Sequence, residues 1–422
     1  MGVLNRVAGS KLVARLGVKA PVDRALYHAT RTGFTAANRT FAATKKLTKP
    51  SRLPSAGDSG VFDLTPTEEQ RMIAETVREF AAEQVRPAAA AADDKCTPPP
   101  DLLRTAASLG ITLVGVPESL DGVATERSTV TNVLVAEALA HGDLGLAVAC
   151  LAPAAVSNAL VLWGNETQQA TYLPAFTGDD VPAAALAIAE PMPLFDPMSL
   201  RTKAYRTPGG FTLTGEKSLV PLASSAELFV VAADLEGRGP ALFVIESSTA
   251  GLSVDPEPAM GLRAAATGRL ALSRVSVPES ALLGSTESYV DCVRLSRLAW
   301  CALAVGTGAA VLEYVTGYVN DRVAFGEPVS HRQGVAFKVA DIGTELDGMR
   351  LLTYRAASRA EQGKPYAREV ALARKLCAAK GMAIGSDGVQ LLGGHGFVKE
   401  HPVERWYRDL RAIGLMEGAV LV

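Results

Sequence analysis

Apolar residues recur along this chain in three successive patterns. Between Thr65 and Leu173 the spacing is helical, beginning with Ile73, Val77 and Phe80. The run Thr65-Pro66-Thr67-Glu68 just before them predicts a capping box with Thr65 as the cap and proline in the first helical position. Thr97-Pro98-Pro99-Pro100, Val116-Pro117-Glu118-Ser119 and Gly164-Asn165-Glu166 break this region into separate helices. From about Val181 to Ser280 the period falls to two, in Phe211/Leu213, Leu228 to Val231, Leu242 to Ile245, Leu252/Val254, Leu270/Leu272 and Val275/Val277, with Gly and Pro turns between them. After Tyr289 the helical period returns in two long seams. One is Leu295, Leu298, Ala302, Val305, Ala309 and Leu312; the other is Val335, Val339, Ile342, Leu346, Met349, Thr353 and Ala356. With the alanine-rich stretch from Val370 to Val389, these seams predict a bundle of long helices.

The expected fold class is therefore α+β, with an N-terminal helical domain (61–180), a middle β domain (181–285) and a C-terminal helical bundle (286–422). Residues 1–60 read as a basic extension and linker, since residues 1–55 carry eleven Lys or Arg against one acid, Asp23. The rest of the chain holds 31 basic and 43 acidic residues. Leu4, Val7, Leu12 and Leu16 interleaved with Arg6, Lys11, Arg15 and Lys19 suit an amphipathic interfacial helix, a transit peptide or a tail docked on the acidic body. The localisation expected from this is cytoplasmic with peripheral membrane contact through residues 1–55, or the mitochondrial matrix. No apolar run long enough to span a bilayer is expected. The five cysteines, Cys96, Cys150, Cys292, Cys301 and Cys377, have no disulfide or zinc-ribbon spacing. The five histidines have no metal spacing, and His395 and His401 are expected in a loop. Nucleic-acid binding would rest on the tail alone, without aromatic interleaving, and is not expected.

Four segments carry chemistry. Tyr318-x-x-x-Arg322-x-x-Phe325-Gly326 is followed by Gln333 and by Phe337-Lys338-Val339-Ala340-Asp341. Gln390-Leu391-Leu392-Gly393-Gly394-His395-Gly396-Phe397 precedes His401-Pro402-Val403-Glu404-Arg405, and Met416-Glu417-Gly418 stands near the end. A glycine pair after a helix lets backbone N–H groups approach a pyrophosphate, and an arginine neutralises it with a bidentate fork. In order and spacing these segments resemble the flavin-dependent acyl-CoA dehydrogenase family, from about Phe62 to Val422.

The resemblance implies FAD as cofactor, contacted by Arg322, Phe325, Gln333, Gln390, Leu391, Gly393, Gly394 and Glu190, in part across a subunit boundary. It implies Glu417 as the general base that removes the α-proton of an acyl-CoA thioester while the β-hydrogen leaves as hydride, giving a trans-2-enoyl-CoA. Arg297 and Gly418 would contact substrate. Some relatives place the base just before the arginine matching Arg297; here that residue is Ser296. The implied partners are acyl-CoA, an electron-transfer flavoprotein or similar acceptor, and further subunits in a homo- or heterotetramer. Two segments depart from the family pattern. Ala189-Glu190-Pro191-Met192-Pro193-Leu194-Phe195-Asp196 replaces a run rich in small residues, and Leu219-Val220-Pro221 replaces Trp-Ile-Thr. These departures leave a second reading open, a structural or adaptor subunit on the same scaffold, which would lack flavin absorption.

Overall fold

The structure is a computed structural model that describes residues 64–422, apart from 123, 125, 178 and 179. The basic extension, and with it the amphipathic helix expected there, lies outside the described residues.

The first helix, α1 (Glu68–Phe80), is capped two residues later than the sequence predicts. The Thr67 side chain accepts from Gln70 N while the Gln70 side chain accepts from Thr67 N, so Pro66 stays outside the helix. The box is real, but Thr67/Gln70 closes it in place of Thr65/Glu68. One wide turn, Ala81–Val85, joins α1 to α2 (Arg86–Lys95), and α3 (Pro100–Ser108) follows. Next come α4 (Thr129–Gly142), α5 (Leu144–Trp163) and α6 (Glu166–Tyr172). Contrary to the expectation that no apolar run matches a bilayer, α5 is 20 residues long and carries no charge, and it is long and apolar enough to cross a membrane. Its most apolar window is 94% buried inside the protein, so its lack of periodicity reflects a helix covered on every side.

The β domain comprises β1 (Ala184–Ala187), β2 (Lys203–Thr207), β3 (Gly210–Val220), β4 (Leu228–Leu235), β5 (Gly239–Glu246), β6 (Leu252–Pro256), β7 (Gly268–Pro278) and β8 (Leu282–Leu283). They form one sheet in the order β6-β7-β3-β2-β4-β5-β8, with β1 parallel to β4. The pairs Leu270/Leu272 and Val275/Val277 belong to one strand. Their parity changes because β7 gains a residue between the pairings Leu213↔Val275 and Gly215↔Leu272, with Arg274 at φ 56°. This bulge keeps all four side chains buried on the core face.

The C-terminal part is built on α7 (Thr286–Asp321), α8 (Gln333–Glu361) and α9 (Ala367–Leu391). A small hairpin of β9 (Val323–Ala324) and β10 (Glu327–Pro328) links α7 to α8, and α10 (Val403–Leu410) follows α9. Helix α7 packs against α4, α8 and α9 and is buried almost all round between Leu295 and Gly308, so it forms the axis of the helical core.

Candidate functional site

The segment after α10 returns the chain to the β domain. Gly418 pairs with Ala187 of β1, and Ala419 N donates to Leu186 O at 3.0 Å. Gly418 has φ 77°, and a Cβ there would lie 2.9 Å from Ile188 Cβ, so glycine is required both by conformation and by space. Its carbonyl accepts from Ser296 Oγ and from Trp300 Nε1, each at 2.9 Å. Ser296 thus holds this segment in place.

That bracing fixes Glu417, which is 8% exposed. Arg297 Nε reaches its two carboxylate oxygens at 2.9 and 3.0 Å, and Arg297 Nη2 reaches Oε1 at 2.7 Å. This is the charge-assisted fork geometry that fixes direction as well as charge. Arg374 approaches Oε1 at 3.8 Å and donates to Met416 O at 2.6 Å. Burial opposes the charge on Arg297, but hydrogen bonding and attraction from Glu417 outweigh it and hold its pKa above the ordinary value. For Arg374 burial prevails and lowers the pKa, and its Nη1 is buried without a hydrogen-bond partner. Glu417, Arg297 and Gly418, which the sequence placed at the reaction centre, therefore meet at one point. Arg374 is the member the sequence reading missed; its signal is a cationic side chain within the alanine-rich α9.

Glu190 is different. Its carboxylate accepts from Arg201 N at 2.7 Å, Thr202 N at 2.9 Å and Lys217 Nζ at 2.8 Å, and the side chains of Lys217 and Glu190 are 0% and 2% exposed. Burial pushes Glu190 upward, but Lys217 and the two backbone donors outweigh this and leave its pKa lowered. Burial brings Lys217 down to about 8. With its carboxylate engaged inside the β domain, the Glu190 side chain stabilises the fold, and a cofactor contact at this position would fall to its backbone. The Leu391 side chain is in the core, so a ligand there would meet its backbone.

The remaining cofactor candidates gather at one end of the bundle. Arg322 caps α7, Gln333 opens α8, Phe325 on the intervening hairpin is 97% exposed, and Gln390, Gly393 and Gly394 end α9. Tyr318, one turn before Arg322, donates to Leu392 O at 3.5 Å, so the two segments are neighbours within a single chain. Arg322 is exposed with no ion-pair partner among the described residues, Gly393 is left-handed at φ 58°, and a Cβ on either glycine would meet nothing within 4 Å. An open, cationic, glycine-lined end fits the pyrophosphate part of FAD. The β-domain side offers less. Ser218 Oγ and Leu219 N both donate to the Glu257 carboxylate, and Pro221 has no N–H.

Models of the acyl-CoA dehydrogenase N-terminal, middle and C-terminal domains match residues 67–179, 185–275 and 288–420. An acyl-CoA dehydrogenase of Bacillus subtilis is 30% identical over 362 residues, covering 83% of this chain and 95% of the relative. The rat mitochondrial short/branched chain specific acyl-CoA dehydrogenase is 29% identical, with 84% and 83% covered. Among solved structures, butyryl-CoA dehydrogenase from Megasphaera elsdenii superposes with a TM-score of 0.77 at 26% identity, over 83% of this chain and 95% of that one. A chain in a structure of the electron transferring flavoprotein of Acidaminococcus fermentans gives a TM-score of 0.78 at 25% identity, with 84% and 95% covered.

Proposed function

The chain belongs to the acyl-CoA dehydrogenase family, and on that basis we propose that it dehydrogenates an acyl-CoA thioester to the trans-2-enoyl-CoA, with Glu417 as the base. The observation that carries this reading is the buried Glu417 carboxylate, aimed by the Arg297 fork on a backbone braced by Ser296, Trp300 and β1. Glu417 takes the α-proton, and the Arg297 fork fixes the direction of its carboxylate. The enolate charge that develops on the thioester oxygen needs hydrogen-bond donors, and the backbone N–H of Glu417 is the one assigned by resemblance. Arg322, Gln333 and the Gly393-Gly394 backbone would hold FAD, which would supply the acceptor for the β-hydrogen. The intact Glu417–Arg297 pair argues against a purely structural subunit.

A short acyl group is supported by the names of the relatives, which include short/branched chain specific and butyryl-CoA dehydrogenases. Reoxidation by an electron-transfer flavoprotein, assembly into a homo- or heterotetramer and peripheral membrane contact through residues 1–55 complete the proposal. The resemblance to the Acidaminococcus chain supports the first, and the charge of the extension supports the last. The deciding experiment measures flavin absorption of the purified protein and enoyl-CoA formation from butyryl-CoA with an artificial electron acceptor. A yellow protein that yields enoyl-CoA supports the reading. A colourless protein that recovers no activity with added FAD refutes it.

A further inference from the structure

Away from Glu417, one group of side chains has the make-up of a metal centre. His395, Glu400 and His401 bring two imidazole nitrogens and a carboxylate oxygen within 4.8 Å of one another. The helical turn Gly393–Phe397 folds the chain back so that the rings of His395 and His401 meet edge-on, with centroids 5.7 Å apart. Lys399 Nζ, on Asp94 Oδ1 at 2.6 Å, ties the loop to α2.

His401 is already oriented as a ligand would be. Its Nδ1 lies 2.6 Å from Tyr314 Oη, and the rings of Tyr314 and Tyr318 pack edge-on against it at 6.0 and 5.6 Å. Imidazoles that bind metals hold their other nitrogen in such a hydrogen bond, which fixes tautomer and ring direction. In the tautomer that donates Nδ1–H to Tyr314 Oη, the lone pair of Nε2 is left for a cation. His395 and Glu400 are exposed, so they can move toward that cation and leave coordination positions open to solvent. In a tetrahedral site with bonds of about 2.0–2.2 Å, donor atoms sit roughly 3.3–3.6 Å apart. The donors now lie within 4.8 Å of one another, and the two that must draw in, His395 and Glu400, are on exposed side chains. Two imidazoles and one carboxylate favour zinc and neighbouring first-row divalent ions over calcium or magnesium, which take oxygen ligands.

We propose that His395, Glu400 and His401 form a divalent transition-metal site of the zinc class, one per chain, with Tyr314 as the positioning residue for His401. The site does not depend on the proposed dehydrogenation.

The test uses the full chain without a histidine tag, titrated with Co²⁺ under visible absorption and then competed with Zn²⁺. One Co²⁺ per chain with tetrahedral d–d bands, displaced by Zn²⁺, is the expected result. His395→Asn and Glu400→Gln change only exposed side chains; each should weaken binding at least about tenfold, and together they should abolish the tetrahedral spectrum. Tyr314→Phe keeps all three ligands and should weaken binding by about 10- to 100-fold. The proposal is overturned if the wild-type chain takes up no Co²⁺, or if the double variant binds it with unchanged affinity and spectrum.

Discussion

Replacing Lys217 with Met tests whether the buried Lys217–Glu190 pair holds the floor of the site. Both side chains are essentially inaccessible, their charged atoms are 2.8 Å apart, and Lys217 also donates to Ile188 O at 3.2 Å, next to the strand that receives Gly418. Removing the cation leaves a buried carboxylate without its counter-charge, a change that costs about 3–5 kcal/mol. The backbone donors of Arg201 and Thr202 remain, and hydrogen bonds to a charged group are worth about 1.5–3 kcal/mol each, so the expected loss lies near the lower end, about 3 kcal/mol. Glu190→Gln should cost less, because Lys217 already has a pKa of about 8 and can release its proton. The double variant, with an amide facing two backbone donors, should recover most of the loss. The sign with pH is also fixed. The folded-state pKa of Glu190 is lowered, so its contribution is present above the ordinary carboxylate range and is lost as pH falls through the lowered value. Without Lys217 that acid limb should move to higher pH. Urea unfolding followed by circular dichroism, at neutral and acid pH, measures both effects. A loss below about 1 kcal/mol for Lys217→Met, or a double variant less stable than Lys217→Met, would refute the reasoning.

Glu417→Gln should keep the fold and lower kcat/KM by about 10²- to 10⁴-fold in the enoyl-CoA assay; activity near wild type would remove Glu417 as the base. Pro221→Thr restores an N–H and a hydroxyl at the weaker side of the flavin site. One hydrogen bond of about 1 kcal/mol should tighten FAD binding roughly fivefold by fluorescence titration, and unchanged affinity would count against the placement. Burial, reinforced by Asp143, raises Asp409 from 3.8 to about 8, so the folded chain retains a proton that the unfolded chain releases. The resulting stability is present at low pH and lost as pH rises through about 8, and Asp409→Asn should flatten the stability profile between pH 5 and 8. A profile as steep as that of the wild-type chain would contradict this.

The sequence reveals most where one period meets one environment. The seams of α7 and α8 are legible because their apolar residues follow the 3–4 spacing of a packed helix, and β4 and β5 because they are short apolar runs bounded by turns and covered on both faces. Helix α5 falls within the region read as helical and ends at the expected break, Gly164-Asn165-Glu166, but its buried face carries no phase, since a helix covered all round has no polar side. The parity change between Leu272 and Val275 looks like a strand boundary, whereas the backbone absorbs it as a bulge at Arg274. At the site, Glu417 and Gly418 were legible from motif order. The capture of Glu190 by Lys217 was not, because the segment after β1 packs along β3 and brings together residues 27 positions apart. Arg374 reaches Glu417 only through the packing of α9 on α7, a contact without local signature.

The buried, uncharged surface of α5 also bears on how the protein folds while it is being made. Part of its cover comes from β1 and from the turn Arg263–Ala265, and the latter leaves the ribosome about 100 residues after the helix itself. At about 5–20 residues per second that interval is roughly five to twenty seconds. Throughout it the nascent chain carries an incompletely covered helix with the length and hydropathy of a membrane span, so its folding competes with the machinery that inserts such segments until the β domain closes over it.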